Sequence, residues 1–263
     1  MVQAVLTDTH PRYRATALTE ANAFGSAGGV LTPLLIGGLQ ALAVGWRAGI
    51  YTMVALWGLI MVVGLREPIP SAQRSEHTAA PLTPLQNLTF GLIFFGAAAE
   101  WVTIAWGADL MTASLGLQPS IASTLLIAYF AANAMGRWAV SQMTATRPLH
   151  RLLAAVLLVG GVGFVVFWRV GVPWLSVAGL FVAGVGIANF FPLGLALVMT
   201  DAHPQQVDLI STRTSLAAGS AILLAPQVTG LLADAVGIQA AVATVPLAIV
   251  MMALLLAVRL RLR

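Results

Sequence analysis

The sequence contains no cysteine, which excludes a disulfide framework and any thiolate metal site. Lysine is missing as well, so all 13 basic residues are arginine, against 9 acidic ones. Charge is scarce. Only 8% of the 263 residues are charged and 59% are hydrophobic, where ordinary soluble domains carry roughly 25% charge. So few charges cannot cover the surface of a water-soluble domain of this size. His10, His77, His150 and His203 have no metal-ligand spacing, and HExxH, GxSxG and glycine-rich phosphate-loop patterns are absent. Neither a metal nor another cofactor is expected, and enzyme activity is not expected either.

Long apolar runs take the place of charge. A helix needs about 20 mostly apolar residues to cross a roughly 30 Å hydrocarbon core. Eight stretches qualify: 19–43, 47–65, 86–109, 119–138, 150–168, 172–200, 209–233 and 236–258. Arginines fall between them and orient the stack. One set of alternate loops and the C-terminal tail hold Arg12, Arg14, Arg66, Arg74, Arg137, Arg147, Arg151, Arg259, Arg261 and Arg263. The opposite loops hold only Arg47 and Arg169. This bias predicts an inner-membrane protein with a cytoplasmic C-terminus. It also explains the net charge of +4 without nucleic acid as a partner. Residues 66–85, rich in proline, charge and small polar side chains, read as a linker between two helical groups.

The chain repeats itself. Residues 5–11 read VLTDTHP and residues 198–204 read VMTDAHP, identical at five of seven positions and 193 apart. Residues 38–45 read GLQALAVG and 230–237 read GLLADAVG, identical at six of eight positions and 192 apart. Both matches bracket the same helix–loop–helix block in the same order, which predicts a duplication. Both copies start on the same side, so the repeat is parallel. Parallel repeats about an axis along the membrane normal occur in transporters with two six-helix halves. Six spans follow the linker and only two complete spans precede it, so roughly 110 residues are expected before Met1 if the halves match.

Two segments resemble the major facilitator superfamily. GSAGGVLTPLLIGG at 25–38 is similar to the family's fifth-helix signature, with Gly25, Gly28, Gly29, Pro33, Gly37 and Gly38 at matching positions. GRWAVSQMTATR at 136–147 resembles the basic cytoplasmic-loop signature through Gly136, Arg137 and Arg147, without its acidic residue. The resemblance implies an all-α polytopic major facilitator fold of about 8 transmembrane helices. On that resemblance, residues 1–65 are expected to be the remnant of a first bundle lacking roughly four helices, 66–85 the linker, and 86–263 the complete second six-helix bundle. It further implies that the helices at 86–109 and 172–200 line a central cavity, with those at 150–168 and 236–258 outside.

Ionisable groups inside the membrane are costly and default to function. Glu100 lies about fourteen residues into its span, roughly 21 Å along it, as a proton-carrying or substrate-pairing carboxylate or a structural pair. Glu20 and Arg213 are repeat mates near helix ends, where they snorkel to water or help close the cavity between the halves. Arg137 and Arg147 join them as gating candidates. Asn189, within GVGIANFFPLG, binds substrate or bonds a neighbouring helix. Asn133 and Gln227 are candidate cavity residues, whereas Asp109 is read as interfacial and Trp101, Trp106 and Tyr129 as packing. The leading expectation is a secondary active transporter of a small solute, with the bilayer as partner and protons as candidate coupling ion. A transport-inactive fragment or a non-transporting receptor on the same fold is the alternative, with a membrane-embedded enzyme behind both.

Overall fold

The computed structural model describes residues 44–64 and 81–262, together with positions 35, 36, 39 and 42. The described residues form α-helices and one short 3-10 turn, with no strand. The helices are α1 (Trp46–Gly64), α2 (Pro84–Leu115), α3 (Pro119–Thr144), α4 (Leu149–Arg169), α5 (Pro173–Ile187), α6 (Phe190–Thr200), α7 (Val207–Val236), α8 (Ile238–Ala241) and α9 (Thr244–Arg261). Six helical stretches are long and apolar enough to cross a membrane: Arg47–Gly64, Pro84–Leu115, Leu149–Arg169, Pro173–Thr200, Val207–Val236 and Ile238–Arg261. The protein is therefore a helical membrane protein. Apart from positions 35, 36, 39 and 42, the expected span at 19–43 lies outside the described residues, as do Glu20, Gly25, Gly28, Gly29, Pro33, Gly37, Gly38 and most of the linker.

Local sequence sets the helix ends. Thr83 and Gln86 form a capping box: Gln86 N donates to Thr83 Oγ1 at 3.3 Å, and Thr83 N donates to Gln86 Oε1 at 2.8 Å. Proline occupies the first turn of α2, α3 and α5, where its missing N–H costs nothing. Gly116, at φ 65°, ends α2 in the left-handed conformation. Gly45 (φ 97°) and Gly237 (φ 83°) occupy matching positions of the two GL…AVG segments. Each directly precedes a helix start, so the two segments share a backbone feature as well as letters.

The structure corrects three expectations. Residues 136–144 are not a loop: α3 continues to Thr144, and only 145–148 connect it to α4. Its polar residues, among them Ser120, Thr124, Asn133, Arg137 and Gln142, make α3 less apolar than the six spanning stretches, so the expected span at 119–138 is not among those apolar enough to cross a membrane. Next, 172–200 is not one continuous helix but breaks at Ala188 and Asn189. Lastly, α2 extends to Leu115, which puts Asp109 within the helix, exposed, rather than at its end.

Pro84–Leu115 and Pro173–Thr200 are the most buried spanning stretches, while Arg47–Gly64 and Val207–Val236 are the least. Around the first two lies a core that includes Leu92, Val102, Phe164, Leu180, Phe190 and Met252. Glycine sets the closest approaches. A Cβ on Gly163 would lie 2.3 Å from Ala183 N, and one on Gly186 would lie 2.2 Å from Gly160 N. The backbones of α4 and α5 therefore touch, the small-residue packing typical of membrane helices.

Candidate functional site

Glu100 sits midway along the 32-residue α2. Its carboxylate Oε1 accepts from Arg137 Nη2 on α3 at 2.9 Å, with side-chain exposures of 10% for Glu100 and 12% for Arg137. Asn133, one turn before Arg137, brings its Nδ2 to within 3.4 Å of the same oxygen. The spacing of 133 and 137 places both side chains on one face of α3, and Tyr129 continues that face toward the helix start. Tyr129 is fully buried. Tyr129 Oη and Asn133 Oδ1 have no hydrogen-bond partner among the described residues.

The third element at the site is the break between α5 and α6. Pro192 has no N–H, so the carbonyl of Ala188, four residues earlier, lacks its intrahelical donor. Arg137 Nε fills that place, donating to Ala188 O at 3.0 Å. Gly136 makes the approach possible, since a Cβ there would lie 2.5 Å from Val185 O. A single guanidinium thus bonds a carboxylate on α2 and an orphaned carbonyl at the α5–α6 break, using the fixed fork of its donors.

The remaining candidates disperse. Asn189 is 1% exposed, but its Nδ2 donates to Val185 O of its own helix segment at 2.8 Å. It therefore supports the break instead of bonding a neighbouring helix. Gln227 and Arg213 are exposed on α7, and Arg147 is exposed in the short connection before α4. Trp106, half-buried, donates from Nε1 to Pro226 O at 2.9 Å and so ties α2 to α7. Of the sequence candidates, Glu100, Asn133 and Arg137 come together.

A second polar cluster, at the start of α2, was not singled out from the sequence. Arg259 on α9 is 2% exposed and pairs with Asp201. It also donates to Thr89 Oγ1 at 2.6 Å and Leu85 O at 3.0 Å. Gln86 Nε2 bonds Gln206 Oε1 at 2.9 Å and Asp201 O at 3.1 Å, and Gln206 Nε2 reaches Pro81 O at 2.9 Å. Together these bonds fasten α2, α9 and the α6–α7 connection at one end of the bundle. Asp201 was visible within the repeated VMTDAHP segment, but Arg259 resembled the other tail arginines. Arg259 is buried, Arg137 is largely buried, and both are paired, so neither is a solvent-facing loop or tail cation.

The chain matches no protein-family profile and no curated protein sequence. Chemically, the site can hold charge away from water. Glu100 can exchange its arginine for a proton or a cation, with Arg137 still bonded to the Ala188 carbonyl. Tyr129 and Asn133 leave hydrogen-bonding capacity beside the pair.

Proposed function

We propose that the chain acts as a secondary active transporter of the major facilitator type, moving a small solute across a cell membrane by alternating access. Glu100 is the proton- or substrate-binding carboxylate. The observation that carries this reading is the Glu100–Arg137 pair halfway along a membrane-length helix, with Asn133 beside the same carboxylate oxygen. A charged side chain at the bilayer centre costs about 2.5–3.5 kcal/mol on insertion scales. Buried pairs are weak stabilisers compared with apolar packing, so stability alone is a poor reason to keep one there. Support also comes from the parallel repeat and from the helix break at the site, since broken helices accompany transporter binding sites.

Proteoliposomes loaded with a pH-sensitive dye test the proposal. They are challenged in turn with sugars, amino acids, carboxylates and amines, and isotope exchange is followed for each solute. At least one class should exchange across the membrane or move protons with it. If protein-free vesicles behave identically for every class, the proposal fails. The Arg137–Ala188 contact favours a second reading, in which the pair is a fastener holding the helix break against α3.

A further inference from the structure

Between them, α4 and α9 leave an open apolar groove of about 360 Å³. Its walls include Ala154 and Leu158 from α4, and Val250, Ala253, Ala257 and Leu260 from α9. The buried Leu157, Ile249 and Leu256 form the floor and exposed side chains the rims: Leu158 is 69% and Val250 52% exposed. Leu158 also lines a second hollow of about 370 Å³, which continues along α4 as far as Val166. From Ala154 to Val166 the path is about 18 Å long at 1.5 Å per residue, close to one leaflet of a roughly 30 Å hydrocarbon core.

The register of the two helices determines what stands at the mouth. Trp168 Nε1 donates to Gln239 O at 2.7 Å, and a Cβ on Gly161 would contact Ile249 at 3.6 Å. The α8–α9 segment therefore runs antiparallel to α4, which brings the start of α4 beside the end of α9. Arg151 and Arg261 stand at those ends, and both are exposed. Neither has an ion-pair partner among the described residues. Neither α4 nor α9 contains an acidic residue, and Asp201 is already engaged by Arg259.

We propose that this groove is a binding site for one anionic phospholipid, with an acyl chain between α4 and α9 and the phosphate between Arg151 and Arg261. The apolar groove between α4 and α9, continued by a hollow on α4 alone, matches an acyl chain in chemistry, and the unpaired cations match a phosphate at a membrane surface. A second copy of the protein fits less well. Two copies related by an axis along the membrane normal would bring four arginines together at the same depth with no carboxylate between them. The site depends only on the membrane-embedded helices, so it stands whether or not the chain transports a solute.

Native mass spectrometry of the full chain released from nanodiscs tests the site. The nanodiscs contain equal amounts of dioleoylphosphatidylglycerol and dioleoylphosphatidylcholine. One phosphatidylglycerol should be retained in preference to phosphatidylcholine. Arg151→Gln with Arg261→Gln should weaken that retention roughly 30-fold, the weight of two arginines near a membrane surface. Ala154→Phe with Ala253→Phe should abolish it with both arginines intact, because the trough is filled. All four positions are exposed, and unchanged circular dichroism confirms folding. Equal retention of both lipids overturns the site, as does loss on arginine removal but not on filling the groove. A dimer that disappears when the groove is filled would assign the surface to a second copy instead.

Discussion

Arg137 Nε donates to Ala188 O at 3.0 Å, and that carbonyl is the one Pro192 leaves without a helical donor. The same guanidinium holds Glu100 at 2.9 Å. Loss of Arg137 therefore has two consequences, a buried carboxylate without its cation and a buried carbonyl without a donor. Arg137→Gln should lower stability by about 3–5 kcal/mol, as removing one partner of a buried pair does. Adding Glu100→Gln should recover most of the loss, because two neutral amides replace two charges. Unfolding titrations of the four proteins in a double-mutant cycle give the coupling. Additive losses would mean that the two residues do not interact.

The carbonyl half of that contact can be tested separately. Pro192→Ala restores an N–H that can bond Ala188 within the helix. In an Arg137→Gln background this change should return about 1 kcal/mol, the net worth of one hydrogen bond. Amide exchange at position 192 should be slow in the double variant. If Pro192→Ala helps equally with Arg137 present, the arginine was not supplying the missing bond.

Gly136 controls how close α3 comes to α5. A Cβ at Gly136 would lie 2.5 Å from Val185 O, whereas one at Gly171 would have nothing within 4 Å. Gly136→Leu should destabilise the protein by about 1–3 kcal/mol through overpacking. Gly171→Ala should change it by less than about 0.5 kcal/mol. Equal effects at the two positions in unfolding titrations would remove the close approach as the cause.

Hydropathy exposed the spanning helices because a bilayer demands long apolar runs, and that demand is local in sequence. Partnership is not local. Arg137 stood among residues that read as a basic loop, and no arginine's letter reveals whether it faces water or a carboxylate 37 residues away. Arg259 is hidden for the same reason, two residues from the exposed Arg261 on the same helix. Glu100 was legible because a lone carboxylate in an apolar run is conspicuous. The broken helix had a visible cause in Pro192, yet its consequence, an orphaned carbonyl caught by α3, needed the packing of three helices.

Orientation is open to a direct test, since the sequence has no cysteine to interfere. Gln118, in the turn after α2, and Thr146, in the turn after α3, are both exposed. Single cysteines at these positions should respond oppositely to an impermeant maleimide added to intact cells. Position 118 should label from outside, and position 146 only after the membrane is opened. That outcome follows from the arginine bias, which survives the loss of Arg137 and Arg259 from the count. The reverse pattern would invert the proposed topology.

Glu100→Gln decides between a carboxylate that works and one that fastens. The substitution keeps shape and a hydrogen-bonding amide but removes the charge and the titration. If Glu100 carries the coupling proton, uphill accumulation in proteoliposomes should collapse while exchange of solute across the membrane persists. If Glu100 pairs with a cationic solute, binding and exchange should both fall, since the compensating charge is gone from a poorly solvated site. If the pair is only a fastener for the helix break, unfolding stability should drop, and the surviving folded fraction should still accumulate solute at the unmodified rate per molecule. Measuring transport per folded molecule, with stability in parallel, separates the three outcomes. A variant that is stable and also accumulates solute normally would remove Glu100 from both the mechanism and the scaffold.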